Sequence, residues 1–234
     1  MLFRSGAACP QAVEPDWNGY EKKMQTFEPY YSFHMDEDCL YLNLWTRNLQ
    51  AGRIAPKLPV MFWIHGGAFT NGEGSDSLFD GGNLVSRGDV VVVTINYRLS
   101  TIGFLALDDG KTNGNFGLAD QVLALDWVHE HITAFGGDPD RITIFGQSAG
   151  AASVRALMAS PKAIGKFAGA IPMSNLAGSN FAATYSNYFT IPQEVALSVN
   201  PILRETGCDT ASDQLACLRA FDPHQLVALP DQAK

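Results

Sequence analysis

The residues most able to do chemistry form the pentad Gly146-Gln147-Ser148-Ala149-Gly150, which matches G-x-S-x-G between a predicted strand ending at Phe145 and a predicted helix from Ala149. A serine hydroxyl is a poor nucleophile unless a fold presents and activates it. A sharp strand-to-helix turn does the presenting, and neighbouring chain then passes so close that only glycine fits at positions 146 and 150. The helix that follows aims its free N–H groups and partial positive charge at the same spot, which suits an anionic tetrahedral intermediate. A second element, His65-Gly66-Gly67-Ala68-Phe69, follows an apolar strand and offers backbone N–H groups to a developing oxyanion. The implied chemistry is acyl transfer through Ser148. Neither G-x-G-x-x-G nor G-x-x-x-x-G-K-[ST] is present, so phosphate cradling has no support.

Such a serine needs a base and an acid that orients it, in the order Ser, Asp or Glu, His. After Ser148 the sole histidine is His224, preceded by Glu194, Glu205, Asp209, Asp213 and Asp222. His224 falls directly after Pro223 on a helix made amphipathic by Leu226, Val227 and Leu229, whereas the base belongs on a loop after a late strand. It is not expected to serve. His129 and His131 lie roughly 200° apart around a helix axis, so they do not share a metal and read as surface residues. No metal or cofactor is expected.

These groups need a frame. Leu58–Ile64 and Val90–Ile95 are continuous apolar runs, the pattern of strands buried on both faces. Between Gly117 and Phe135 the residues Leu118, Val122, Leu125, Val128, Ile132 and Phe135 recur at helical spacing and stop at Gly136-Gly137-Asp138-Pro139. Arg141–Phe145 reads as a short strand, the stretch from Ala149 through Met158 as a helix, and Phe167–Met173 as a further strand. Alternating strands and helices imply an α/β fold with a mostly parallel sheet. Upstream, Cys39–Trp45 alternates Leu40, Leu42 and Leu44 with polar or aromatic residues, as an outer antiparallel strand would. No strand is expected after Met173. From about residue 175 the chain reads as a helical tail, with Asp222-Pro223 opening its last helix. Phe181, Tyr185, Tyr188 and Phe189 would line an apolar site or, as the favoured reading, belong to ordinary core.

The 234 residues, 46% hydrophobic and 17% charged, suffice for a buried core and exclude a disordered or fibrous protein. A formal net charge of -8 argues against nucleic acid as a partner. No apolar run is long enough to cross a membrane, and Met1–Pro10 lacks the apolar stretch of an export signal. Cys9, Cys39, Cys208 and Cys217 fit neither CxxC nor a zinc framework. Of three possible pairings the sequence-local one, Cys9 with Cys39 and Cys208 with Cys217, is favoured and points to an oxidising compartment; buried free thiols in a cytosolic protein are the alternative.

Glu37-Asp38-Cys39-Leu40-Tyr41-Leu42-Asn43, the His65–Phe69 turn, Asn96-Tyr97-Arg98-Leu99, Gly103-Phe104-Leu105, Asn115–Gln121, Phe135–Pro139 and Gly146–Gly150, in this order, resemble the type-B carboxylesterase/lipase family. The resemblance runs from about Cys9 to Cys217 and implies the α/β-hydrolase fold and hydrolysis of small-molecule or lipid esters. It makes Ser148 the nucleophile and Gly67, Ala68 and Ala149 the backbone donors of the oxyanion hole. It assigns His65 to shaping the turn and Arg98 with Asp120 to a structural ion pair. The two cysteine pairs are placed like the family's first two disulfides, in keeping with a secreted protein. The family's acid and base come much further along the chain. Residues 1–234 are therefore expected to form a single partial domain, truncated at both ends, with half a catalytic site and negligible turnover on its own. The departure at Pro172-Met173-Ser174-Asn175-Leu176 is expected to reshape the acyl pocket. The competing readings are a non-catalytic binding module, against which an intact Ser148 counts, and an inactive truncated product whose exposed sheet edges aggregate.

Overall fold

Buried β-branched and aromatic residues build the centre of the sheet. The computed structural model describes residues 6–12, 34–47, 49, 56–175 and 189–232. Strand β1 (Leu42–Trp45) is followed by β2 (Leu58–Ile64), β3 (Val91–Ile95), β4 (Gly137–Gln147) and β5 (Gly169–Met173), in the spatial order β1-β3-β2-β4-β5. β1 runs antiparallel to β3, and every other neighbouring pair is parallel. Every residue of β3 is buried, because helices and loops cover both its faces, and this explains the unbroken apolar run. The core joins Val60, Phe62 and Ile64 of β2 to Val91, Val93 and Ile95 of β3 and Ile142 and Ile144 of β4.

Helix α1 (Gly82–Arg87) leads into β3, and α2 (Ser100–Phe104) follows that strand. Helix α3 (Phe116–His131) packs Leu125 and Val128 on the core, and α4 (Ala149–Ala159) adds Val154 and Leu157. Arg98 and Asp120 form the expected ion pair, with Arg98 Nε and Nη2 each donating over 2.8 Å to separate oxygens of a nearly buried Asp120. The Arg98 backbone N–H adds a third bond at 3.0 Å, so the strand exit and α3 are fastened at one point.

Several expected boundaries move. α3 ends at His131, and a 3-10 turn, Ile132–Phe135, carries the chain to Gly136, whose φ of 79° is the left-handed turn glycine adopts without strain. β4 has 11 residues rather than the short Arg141–Phe145, because Leu58 already pairs with Gly137 before a register shift brings Val60 opposite Ile142. Leu40 lies outside β1 and is exposed; Leu42 and Leu44 alone of that trio pack on the core. β5 begins at Gly169 rather than Phe167.

The described part of the tail comprises α5 (Ile191–Glu194), a π turn over Val195–Val199, α6 (Asn200–Thr206), α7 (Gln214–Leu218) and α8 (Pro223–Gln232). Among the described residues no strand follows Met173. The tail has its own core of Val199, Ile202, Leu203, Cys208, Leu218 and Leu226, against which Leu105 and Leu107 pack. Thr101 Oγ1 donates to the Leu226 carbonyl at 3.1 Å and Ser100 Oγ to that of Val227 at 3.2 Å. Within a helix Leu226 would be served by the N–H of residue 230, but Pro230 has none, and Thr101 takes its place. Cysteines pair as Cys9–Cys39 and Cys208–Cys217. Phe181, Tyr185 and Tyr188 lie outside the described residues, and Phe189 is exposed, so it is not core.

Candidate active site

Ser148 occupies the step between β4 and α4 with φ 57° and ψ -118°, a conformation that L-residues rarely adopt. Its N–H donates to the Met173 carbonyl at the end of β5, and its carbonyl receives the N–H of Ala152, both at 3.0 Å. A Cβ added at Gly150 would lie 2.1 Å from the carbonyl oxygen of Ile64, and one at Gly146 would lie 2.6 Å from the backbone of Gly150. The two glycines therefore seat the elbow directly on the end of β2. Gln147 between them is exposed and Ala149 is buried.

β2 runs straight into the second turn. A Cβ at Gly66 would lie 2.7 Å from the Gln147 carbonyl and 3.3 Å from Ser148 Cβ, so this glycine backs directly onto the serine. Gly67, Ala68 and Phe69 then follow with φ of 102°, 53° and 62°, a left-handed run costing about 1–2 kcal/mol per non-glycine residue. The N–H groups of Thr70 and Asn71 close it on the Gly67 carbonyl at 2.9 and 3.0 Å. Ser100 N–H holds the Phe69 carbonyl at 2.7 Å, and the Phe69 ring packs edge-on to Phe104.

His65 underlies this turn and is fully buried. Its ring stacks on Tyr97 with centroids 4.3 Å apart, and the Tyr97 hydroxyl donates to the His65 carbonyl at 2.9 Å. Nδ1 lies 2.8 Å from the Gly66 carbonyl, a contact that requires the proton on Nδ1, and the Nε2 lone pair is buried with no partner among the described residues. Burial holds this imidazole down at about 4, so it is enclosed and neutral near pH 7. Burial likewise raises the carboxyl of Glu73, one position beyond Gly72, against an opposing hydrogen bond from Ser75.

Among the described residues Ser148 Oγ has no hydrogen-bond partner, and none of the five histidines reaches it. His224 is exposed at the start of α8, where Asp222 caps its backbone N–H at 2.8 Å. His131 is exposed on α3 and lies beside Trp127. Tyr97 and Ser100 are the supports that the sequence reading missed; the one available signal was their position directly after the fully buried β3.

A family model described as the carboxylesterase family matches residues 4–233. The chain is 44% identical over 200 residues to bile salt-activated lipase of Mus musculus, covering 81% of this chain and 32% of that protein. It is 52% identical over 137 residues to para-nitrobenzyl esterase of Bacillus subtilis (strain 168), covering 58% of this chain and 27% of that one. A solved PNB esterase structure superposes with a TM-score of 0.75 at 38% identity over 97% of this chain and 42% of its own. The architecture is thus that of the α/β-hydrolases, and the chain spans about a third of the length of the curated relatives it matches.

Proposed function

The chain belongs to the carboxylesterase family, and from that premise we propose that Ser148 is the nucleophile of a carboxylic ester hydrolase working through an acyl-enzyme. Ser148 Oγ attacks the ester carbonyl, its proton passes to a base, and the alcohol leaves carrying a proton. Water then cleaves the acyl–Oγ bond, releasing the carboxylic acid and the free serine. Gly67, Ala68 and Ala149 supply the N–H groups for the oxyanion. The observation that carries this reading is Gly66 backed onto the Gln147–Ser148 step, where an added Cβ would lie 3.3 Å from Ser148 Cβ, because it brings the glycine turn alongside the serine.

The described residues supply no base, so we propose that these 234 residues alone turn over esters negligibly. Loss of the histidine from a serine hydrolase costs on the order of 10⁶ in turnover. Residues 1–234 are read as one partial domain, and the ester is a small-molecule or lipid one. Two disulfides support an oxidising, extracellular setting. Among the described residues no helix is long and apolar enough to cross a membrane.

The test is a fluorophosphonate in imidazole buffer, with imidazole standing in for the base. The Oγ–P bond forms, fluoride leaves and imidazole takes the proton. The adduct is expected on the peptide carrying Ser148 and absent in Ser148→Ala; an adduct elsewhere, or none, would overturn the assignment. Steady hydrolysis of a p-nitrophenyl ester by the 234-residue chain that vanishes in Ser148→Ala would overturn the missing base.

A further inference from the structure

Gln11 lies far from the elbow in sequence, yet it is 5% exposed and sits behind the glycine turn. Its side-chain oxygen accepts the Gly72 N–H at 2.8 Å, and its side-chain nitrogen donates to the Gly72 carbonyl at 3.1 Å and to the Cys9 carbonyl at 3.1 Å. The amide thus pairs with both backbone groups of one residue, as a neighbouring strand would, and both of its N–H bonds are used. Gly72 has φ 113°, and a Cβ there would lie 2.4 Å from His65 Nδ1, so this glycine is flush against the ring that bonds the Gly66 carbonyl. Asn71, immediately before it, closes the turn on Gly67.

We infer that Gln11 is a positioning residue, fixing the far end of the Gly67–Asn71 turn so that the N–H groups of Gly67 and Ala68 face the oxygen of the acyl intermediate. The inference rests on the function proposed above. Gln11 never touches the reacting atoms; it acts through Gly72 and His65. The Cys9–Cys39 bond, two residues away, anchors its backbone to the segment whose Cys39 carbonyl accepts from Asn96 at 3.0 Å. Oxyanion donors work by being aimed before the reaction begins, and a displacement of about 1 Å in such a site costs on the order of 10²-fold in rate.

The experiment compares rates of Ser148 phosphonylation by a fluorophosphonate, with imidazole present, in the wild-type 234-residue chain, Gln11→Met and Gln11→Glu. Methionine fills the same volume without either hydrogen bond, and labelling is expected to slow about ten- to a hundredfold. Gln11→Glu keeps the acceptor for Gly72 N–H but donates to the Gly72 carbonyl only when protonated. Its rate relative to wild type is expected to rise as pH falls from 8 to 5, a titration that a packing defect would not produce. Labelling of Gln11→Met within twofold of wild type would overturn the inference while leaving Ser148 in place, and so would a flat Gln11→Glu ratio should Gln11→Met fail to fold. A wild-type chain that is not labelled at Ser148 would remove the proposed function and this inference with it.

Discussion

Gly146 and Gly150 seat the elbow through contacts with each other and with the end of β2, whereas the turn of Gly67 and Ala68 is held by Tyr97, Ser100 and Gln11, all distant in sequence. Both turns place non-glycine residues at positive φ, Ser148 in one and Ala68 and Phe69 in the other. The elbow is flanked by β4 and α4 and rests on the end of β2. The second turn lies in the connection between β2 and β3; its left-handed backbone is closed by the N–H groups of Thr70, Asn71 and Ser100, and the side chains of Tyr97 and Gln11 hold its two flanks. One turn is thus packed into the sheet through backbone contacts alone, and the other draws also on side chains from distant segments. Damage should spread differently from each.

The largest effect is expected of Gly150→Ala, which puts a methyl 2.1 Å from a backbone oxygen that cannot yield. It is expected to destabilise the chain by about 4 kcal/mol or more, read as a collapse of the urea midpoint. A loss under about 1 kcal/mol would mean that the elbow is looser than its contacts imply. Removing the disulfide in Cys9→Ser/Cys39→Ser, whose sulfurs span 30 residues, is expected to cost about 3.5 kcal/mol by chain entropy. Amide exchange in the double variant should quicken at residues 66–72 and remain slow in α4; equal quickening in both would erase the distinction between the turns.

His65 sharpens the contrast through pH. Its imidazole stays neutral in the fold down to about 4 and titrates near 6.5 when unfolded, so between those values the unfolded chain binds the extra proton. Stability therefore falls as pH drops through that window, by up to about 3 kcal/mol from this group, and the loss is complete below the folded value. Urea midpoints followed from pH 7 to 4 should show a shallower slope in His65→Gln than in the wild type. Parallel slopes would mean that the ring is not enclosed as described.

The same division governs what the sequence made legible. Ser148, its flanking glycines and the His65–Phe69 turn could be read directly, because their spacing is local and sits between strong strand and helix patterns. Leu58–Ile64 and the buried β3 were legible for the same reason. The length of β4 was not, since its early residues enter the sheet only through a register shift against β2. Leu40 looked like strand because it alternates with Tyr41 and Asn43, but the pairing with β3 begins only at Leu42. Gln11 was invisible for a deeper reason: a polar residue near a cysteine carries no pattern, and its role exists only once Gly72 is folded against it. His224 was discounted as a base from its place directly after a helix-opening proline; the structure places it exposed at the start of α8.

In the proposed site two turns meet around one anionic oxygen on Ser148, and a crystal structure of the phosphonylated chain would reveal that arrangement. Phosphorus is expected on Ser148 Oγ, with the phosphoryl oxygen about 2.7–3.1 Å from the backbone nitrogens of Gly67, Ala68 and Ala149. A phosphoryl oxygen turned to solvent, with those N–H groups bonded elsewhere, would contradict it.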